Sequence, residues 1–170
     1  MKLILSSVFC LMAFICTAQK MQPYPSSDSI AIKGLVNEPV VFSINDLNNM
    51  PDTSFPILRI VNNHGEFKAN YKQVKAVSLK KLLDKSLLTA AKPKEKYSFY
   101  FVCKAMDGYS VVYSFNELFK DSPEIFVVTA YDDLNMTNMP EKPIILTLTG
   151  TATGRMGMRG LKSIEVKKAE

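Results

Sequence analysis

The sequence predicts an α+β domain, β-rich and mixed-sheet, with about three short helices. Three observations carry this. Short β-branched and aromatic runs recur along the chain, bounded by turn-forming residues. Helical periodicity is confined to a few short stretches. Strands follow strands more often than they alternate with helices, unlike a doubly wound parallel sheet.

Ser29 to Val36 alternates as a strand ending near Gly34, and Asn37-Glu38-Pro39 turns the chain. Ser43 caps a short helix through Met50, with Asp46 at the capping-box position and Pro51 as the stop. Phe55 to Val61 is a strand. The Asn62-Asn63-His64-Gly65 turn then leads into a second extended stretch through Val77. Ser78 caps the clearest helix: Leu79, Leu82, Leu83 and Leu87 share one face, with Lys80, Lys81 and Asp84 opposite. Tyr97 to Val102 is a strand, Asp107-Gly108 a hairpin-type turn, and Ser110 to Tyr113 its continuation. Ser114 and Glu117 form a second capping box, opening a helix through Phe119. Glu124 to Tyr131, Pro143 to Thr149 and Leu161 to Lys167 are the last strands, with a polar loop over Asp132 to Glu141.

The start of the chain reads as a leader for export. Lys2 is a short positive region, Leu3 to Ile15 is apolar apart from Ser6 and Ser7, and Cys16-Thr17-Ala18 ends in small residues. Residues 1–18 are expected to be cleaved, 19–29 to form a Pro-containing tether, and 30–168 to form the domain, placed in the periplasm or secreted. The apolar run falls short of the roughly 20 residues of a membrane anchor, and no second run replaces it, so no membrane span is expected after cleavage. The leader has no twin-Arg pair, which implies export of an unfolded chain without a preloaded cofactor.

Composition narrows the function classes. The 170 residues carry a net charge of +5, or +4 once Lys2 leaves, with lysines spread throughout. That is not a nucleic-acid-binding stripe, and no nucleic-acid partner is expected. Of three cysteines only Cys103 survives cleavage, so no internal disulfide is expected, and the single His64 with one Cys makes no zinc site without carboxylates. No metal ligand is assigned. Cys103 reads as a small core hydrophobe, with Lys104 alternating to the other face. The methionines suit Cu(I), but packing accounts for them. No residue is assigned a catalytic role.

The segment Gly150–Gly160 stands apart: it holds four of the seven glycines and two of the three arginines, Arg155 and Arg159. Glycines let successive backbone N–H groups converge on an anion, and Arg adds a planar fork for phosphate or carboxylate. A plain glycine-rich connection between two strands has the same composition. His64, beside Asn62 and Asn63, is either a surface turn residue or a ligand contact.

The order of these motifs resembles the oxidoreductase molybdopterin-binding domain, the fold of sulfite oxidases and their bacterial relatives, over about Ile30 to Val166. The pieces are Ile32 to Pro39 with the Ser43–Leu47 helix start, Lys75 to Leu83, Asp107-Gly108-Tyr109, Ala130 to Pro143, and Gly154-Arg155 through Val166. The resemblance implies a molybdopterin or pterin-like ligand, with Arg155, Arg159, Gly154 and Gly157 at its phosphate and His64 and Asn62 near the rim. It also implies a cysteine thiolate on molybdenum after the second main strand, yet residues 59–65 contain no Cys. The reading is therefore an exported domain that binds a small anionic or pterin-like ligand without molybdenum catalysis. The alternatives are a molybdenum-dependent oxidoreductase, which leaves enzymatic activity open, and a partner-binding module that has lost its ligand.

Overall fold

The computed structural model describes residues 25–50, 53–62, 64–86, 92–119, 125–140, 142, 144–147, 152–153 and 157–170. The expected leader, and the tether up to residue 24, lie outside the described residues, as does Leu87. Pro25 to Asp28 already lie on the domain: Ser27 is buried and its N–H donates to the Lys142 carbonyl, while Asp28 pairs with the Lys142 ammonium.

The domain is α+β, with two sheets and three short α-helices among the described residues. The first sheet runs β2 (Val40–Ser43), β1 (Ser29–Gly34), β11 (Leu161–Lys168), β5 (Phe99–Ala105), β6 (Ser110–Ser114). The second runs β10 (Ala152–Thr153), β3 (Thr53–Val61), β4 (Phe67–Ser78), β7 (Ile125–Tyr131), β8 (Leu134–Asn135), with β9 (Ile144–Thr147) also on β7. Both are mixed: β1 lies parallel to β11 and β10 parallel to β3, and the other pairs are antiparallel.

Alternation explains the main core. Along β1, Ile30 and Ile32 point inward; β5 adds Phe101 and Cys103, β6 adds Val111 and Tyr113, and β11 adds Ile164 and Val166. From the second sheet come Val77, Ile125 and Val127. Helix α2 (Leu79–Ser86) packs on β4 and β7 and buries Leu79, Leu82 and Leu83, the face the leucine spacing marks. A smaller apolar cluster, Leu58, Val74, Val128 and Met139, occupies the other face of the second sheet, since Val127 and Val128 alternate.

The caps form as the residues dictate. Ser43 and Asp46 make a capping box on α1 (Ile44–Asn48). On α3 (Phe115–Phe119), the Ser114 N–H donates to Glu117 at 2.6 Å and the Glu117 N–H donates to the Ser114 hydroxyl. Each box satisfies helix-end donors that have no intrahelical partner.

Four elements differ from the sequence reading, and the first is β2, a four-residue strand between the Asn37–Pro39 turn and the Ser43 cap, where no strand is expected. Residues expected to open the Tyr97–Val102 strand form a 3-10 turn over Pro93–Ser98, and the strand starts at Phe99. The expected loop after Tyr131 opens with a hairpin into β8, because Asp132 and Asp133 both take positive φ (46° and 63°), as a two-residue primed turn requires. The two-residue strand β10 is too short to leave a pattern. In β4, Gln73 takes φ 51° at the position between the pairs Phe55↔Val74 and Ile57↔Lys72, so it faces Pro56, which has no N–H to donate. Thr129 is the extra residue of a bulge on β7, and its buried hydroxyl has no hydrogen-bond partner among the described residues.

Candidate functional site

Two of the expected contact residues sit at the tip of the β3–β4 hairpin. The Asn62 carbonyl accepts from the Gly65 N–H, and the Asn62 N–H donates to the Glu66 carbonyl. Its side-chain oxygen accepts from the His64 and Glu66 N–H groups at 3.0 and 2.9 Å, and its amide nitrogen donates to the Glu66 carboxylate. Asn62 thus holds the tip in shape with its own side chain, an Asx-type turn, and His64 is presented to solvent.

Parallel pairing brings Ala152 and Thr153, from within the glycine-rich segment, to the same end. Thr153 of β10 pairs with Val61 of β3, the residue before Asn62. Gly154 and Arg155 themselves lie outside the described residues. The segment returns at Gly157, which is half-buried, and Met158, which is fully enclosed in the core. Gly160 is a packing residue: φ is +64°, and a Cβ there would collide with the Pro25 carbonyl oxygen.

Arg159 is the described cation of this segment. Its Nη2 donates to the Tyr71 hydroxyl at 3.3 Å. The Tyr71 ring stacks on Tyr131, centroids 4.4 Å apart and planes 22° apart. Tyr71 comes from β4 and Tyr131 from the end of β7, each pressed against the small apolar cluster. Lys72 and Asp132, the next residue along each chain, lock the two together: the Lys72 N–H donates to the Asp132 carboxylate and the Asp132 N–H to the Lys72 carbonyl, both at 2.8 Å. The arrangement is a guanidinium braced on a rigid aromatic pair, suited to a planar or anionic group. Sequence reasoning found Arg159 but not this tyrosine pair. Its members stand 60 residues apart, and only the β4–β7 register joins them.

Cys103 lies elsewhere. It is in β5, paired across strands with Ile164 and Val111, and fully buried. Burial pushes its thiol from the ordinary 9.0 up to about 12. A molybdenum centre of the expected type needs a thiolate, and this neutral thiol belongs to the other sheet from the hairpin. Among the described residues, therefore, no cysteine fits a protein-ligated molybdenum centre. Nor, among the described residues, does any group of three His, Cys, Asp or Glu side chains come together to hold a metal.

The thiol gives a pH signature. The folded state keeps the proton that the unfolded chain loses near pH 9, so this contribution is complete below pH 9 and is lost as pH rises toward about 12. Stability should fall by up to about 1.4 kcal/mol per pH unit over that window through this one group. Urea unfolding at pH 8 and pH 10 checks it: the wild type should lose more stability than Cys103→Ala between the two.

No protein-family model matches the chain, and no curated protein matches it in sequence. Among solved structures it is similar to the sulfane dehydrogenase SoxCD from Paracoccus pantotrophus, with a TM-score of 0.63 at 14% identity. The likeness covers 86% of this chain and 40% of that one, so the domain spans well under half its neighbour's length. At that identity the likeness is one of fold alone.

Proposed function

We propose that the protein is an exported binding domain that holds a small anionic, pterin-like ligand without molybdenum catalysis. The observation that carries this is Arg159 braced on the stacked Tyr71–Tyr131 pair, at the return of the glycine-rich segment. An aromatic pair offers a planar heterocycle a stacking surface, and the guanidinium offers its acidic group a two-pronged partner. Gly154, Gly157 and Arg155 would add backbone and side-chain donors, with His64 and Asn62 at the rim. Among the described residues no cysteine stands near the hairpin tip, which favours binding over redox chemistry. The leader-like start of the sequence supports placement in the periplasm or outside the cell.

Native mass spectrometry of the protein from its own host tests the retained ligand directly. Fluorescence titration with pterin-6-carboxylate tests the residues. Arg159→Ala should weaken binding by about 1.5–3 kcal/mol, roughly tenfold to a hundredfold, the worth of a charge-assisted hydrogen bond. Tyr71→Phe, which keeps the ring and loses the brace, should cost less. No retained ligand together with no affinity for pterins or phosphorylated ligands would remove the proposal.

A further inference from the structure

The first sheet buries only one face. Ile30, Ile32, Phe101, Cys103, Ile164 and Val166 point into the core, so alternation turns Ala31, Lys33, Tyr100, Val102, Lys104, Glu165 and Lys167 outward, with Ser163 on the same side but buried between its neighbours. The registers assemble this outer face in rows. Val41, Ala31, Ser163, Lys104 and Ser110 lie side by side across all five strands. The next row is Lys33, Glu165, Val102 and Val112, followed by Lys167, Tyr100 and Ser114.

Two features set the face apart from an ordinary solvated sheet. The first is apolar exposure: Val41 and Val112 are 64% and 55% exposed, with Val102 and Tyr100 half-buried between the rows. A solvent-facing antiparallel sheet normally places polar side chains there. The second is charge. Lys33, Lys104 and Lys167 surround one carboxylate, Glu165, which Lys104 and Lys167 approach at 3.4 and 3.6 Å. Partial desolvation works against that carboxylate, but the Lys104 hydrogen bond and the charges of Lys167, Lys104 and Lys33 outweigh it and hold its pKa below the ordinary value. Three lysines against one acid leave the face positive.

We propose that this outer face is a docking surface for an acidic protein partner, with Val41, Val102, Val112 and Tyr100 as its apolar ground and Lys33, Lys104 and Lys167 as its charge complement. Apolar and aromatic patches inside a charged rim are the usual build of a protein interface, and the lysine excess selects the partner by sign. Among the described residues the face carries no arginine fork for phosphate, which favours a protein over a nucleic acid or an anionic membrane. The proposal does not depend on the ligand site.

A photo-reactive benzoylphenylalanine at Val112 of the full chain, expressed in its native host, tests this, with Ile57 on the other sheet as control. The expected result is an adduct at Val112, absent at Ile57, with a protein that mass spectrometry identifies as acidic. The adduct should fall at least tenfold in the Lys33→Glu, Lys104→Glu, Lys167→Glu variant, and the isolated partner should bind more weakly as salt rises. If the reversed variant does not fold, Lys104→Gln with Lys167→Gln reads the same loss at smaller amplitude. No adduct, an adduct between two copies of this chain, an adduct with lipid or nucleic acid, or an adduct indifferent to the lysines would each overturn it.

Discussion

Gly34→Ala is expected to lower stability by about 2–5 kcal/mol, combining a left-handed backbone cost with overpacking. Gly34 has φ +94°, and a Cβ there would collide with the Val166 carbonyl oxygen, with the Val166 nitrogen 3.0 Å away. Those are backbone atoms of the neighbouring strand, so no rotamer change relieves the clash. The same carbonyl accepts from the Leu35 N–H at 2.9 Å, so pushing β1 away also loosens the chain where it leaves the strand. Gly108 supplies the control. It has a similar φ, +89°, but nothing within 4 Å of the added Cβ. Gly108→Ala should therefore show the backbone cost alone, about 1–2 kcal/mol. Urea unfolding of the two variants separates strain from collision, and equal losses would remove the collision account.

Phe101→Ala should cost about 3–5 kcal/mol, the range for deleting a buried aromatic ring. Phe101 is fully enclosed in the main core, and its ring lies 5.9 Å from that of Phe119 on α3. Removing it empties space shared by the sheet and a helix. Against a total stability of about 5–15 kcal/mol, the variant should lose a large part of its margin, and calorimetry should show the melting temperature down by roughly 10–15 °C. Val112→Ala, on the outer face of the adjacent strand, should stay within about 0.5 kcal/mol of wild type. A small loss at Phe101 would mean the two layers do not share one core.

How much of this was legible in the sequence depends on the range of the interaction. Local chemistry was readable. The Ser43–Asp46 and Ser114–Glu117 boxes, the leucine face of α2 and the inward side of Cys103 are where residue type and spacing put them. So was the α+β class, because strands and short helices leave periodic marks. Positive φ at Asp132 and Asp133 was not readable, since the register of β7 on β8 imposes it on residues that only tolerate it. Nor was the outer face of the first sheet: Lys33, Lys104 and Glu165 become neighbours only through the pairing of β1, β11 and β5. Of the candidate site, the cation and the hairpin tip came from composition and motif order. The tyrosine pair that braces Arg159 came from tertiary pairing alone.

The position of β11 governs when the domain can come into being. This last strand is the middle of its sheet, with β1 on one side and β5 on the other. The first strand made therefore waits for the last, and the long loop closed by Ile32↔Ile164 must form before the sheet exists. Such a high contact order implies slow folding and a chain that stays open until its final segment has emerged. A nascent chain arrested before Leu161 should remain a substrate for proteases and chaperones, whatever its earlier helices and hairpins have done.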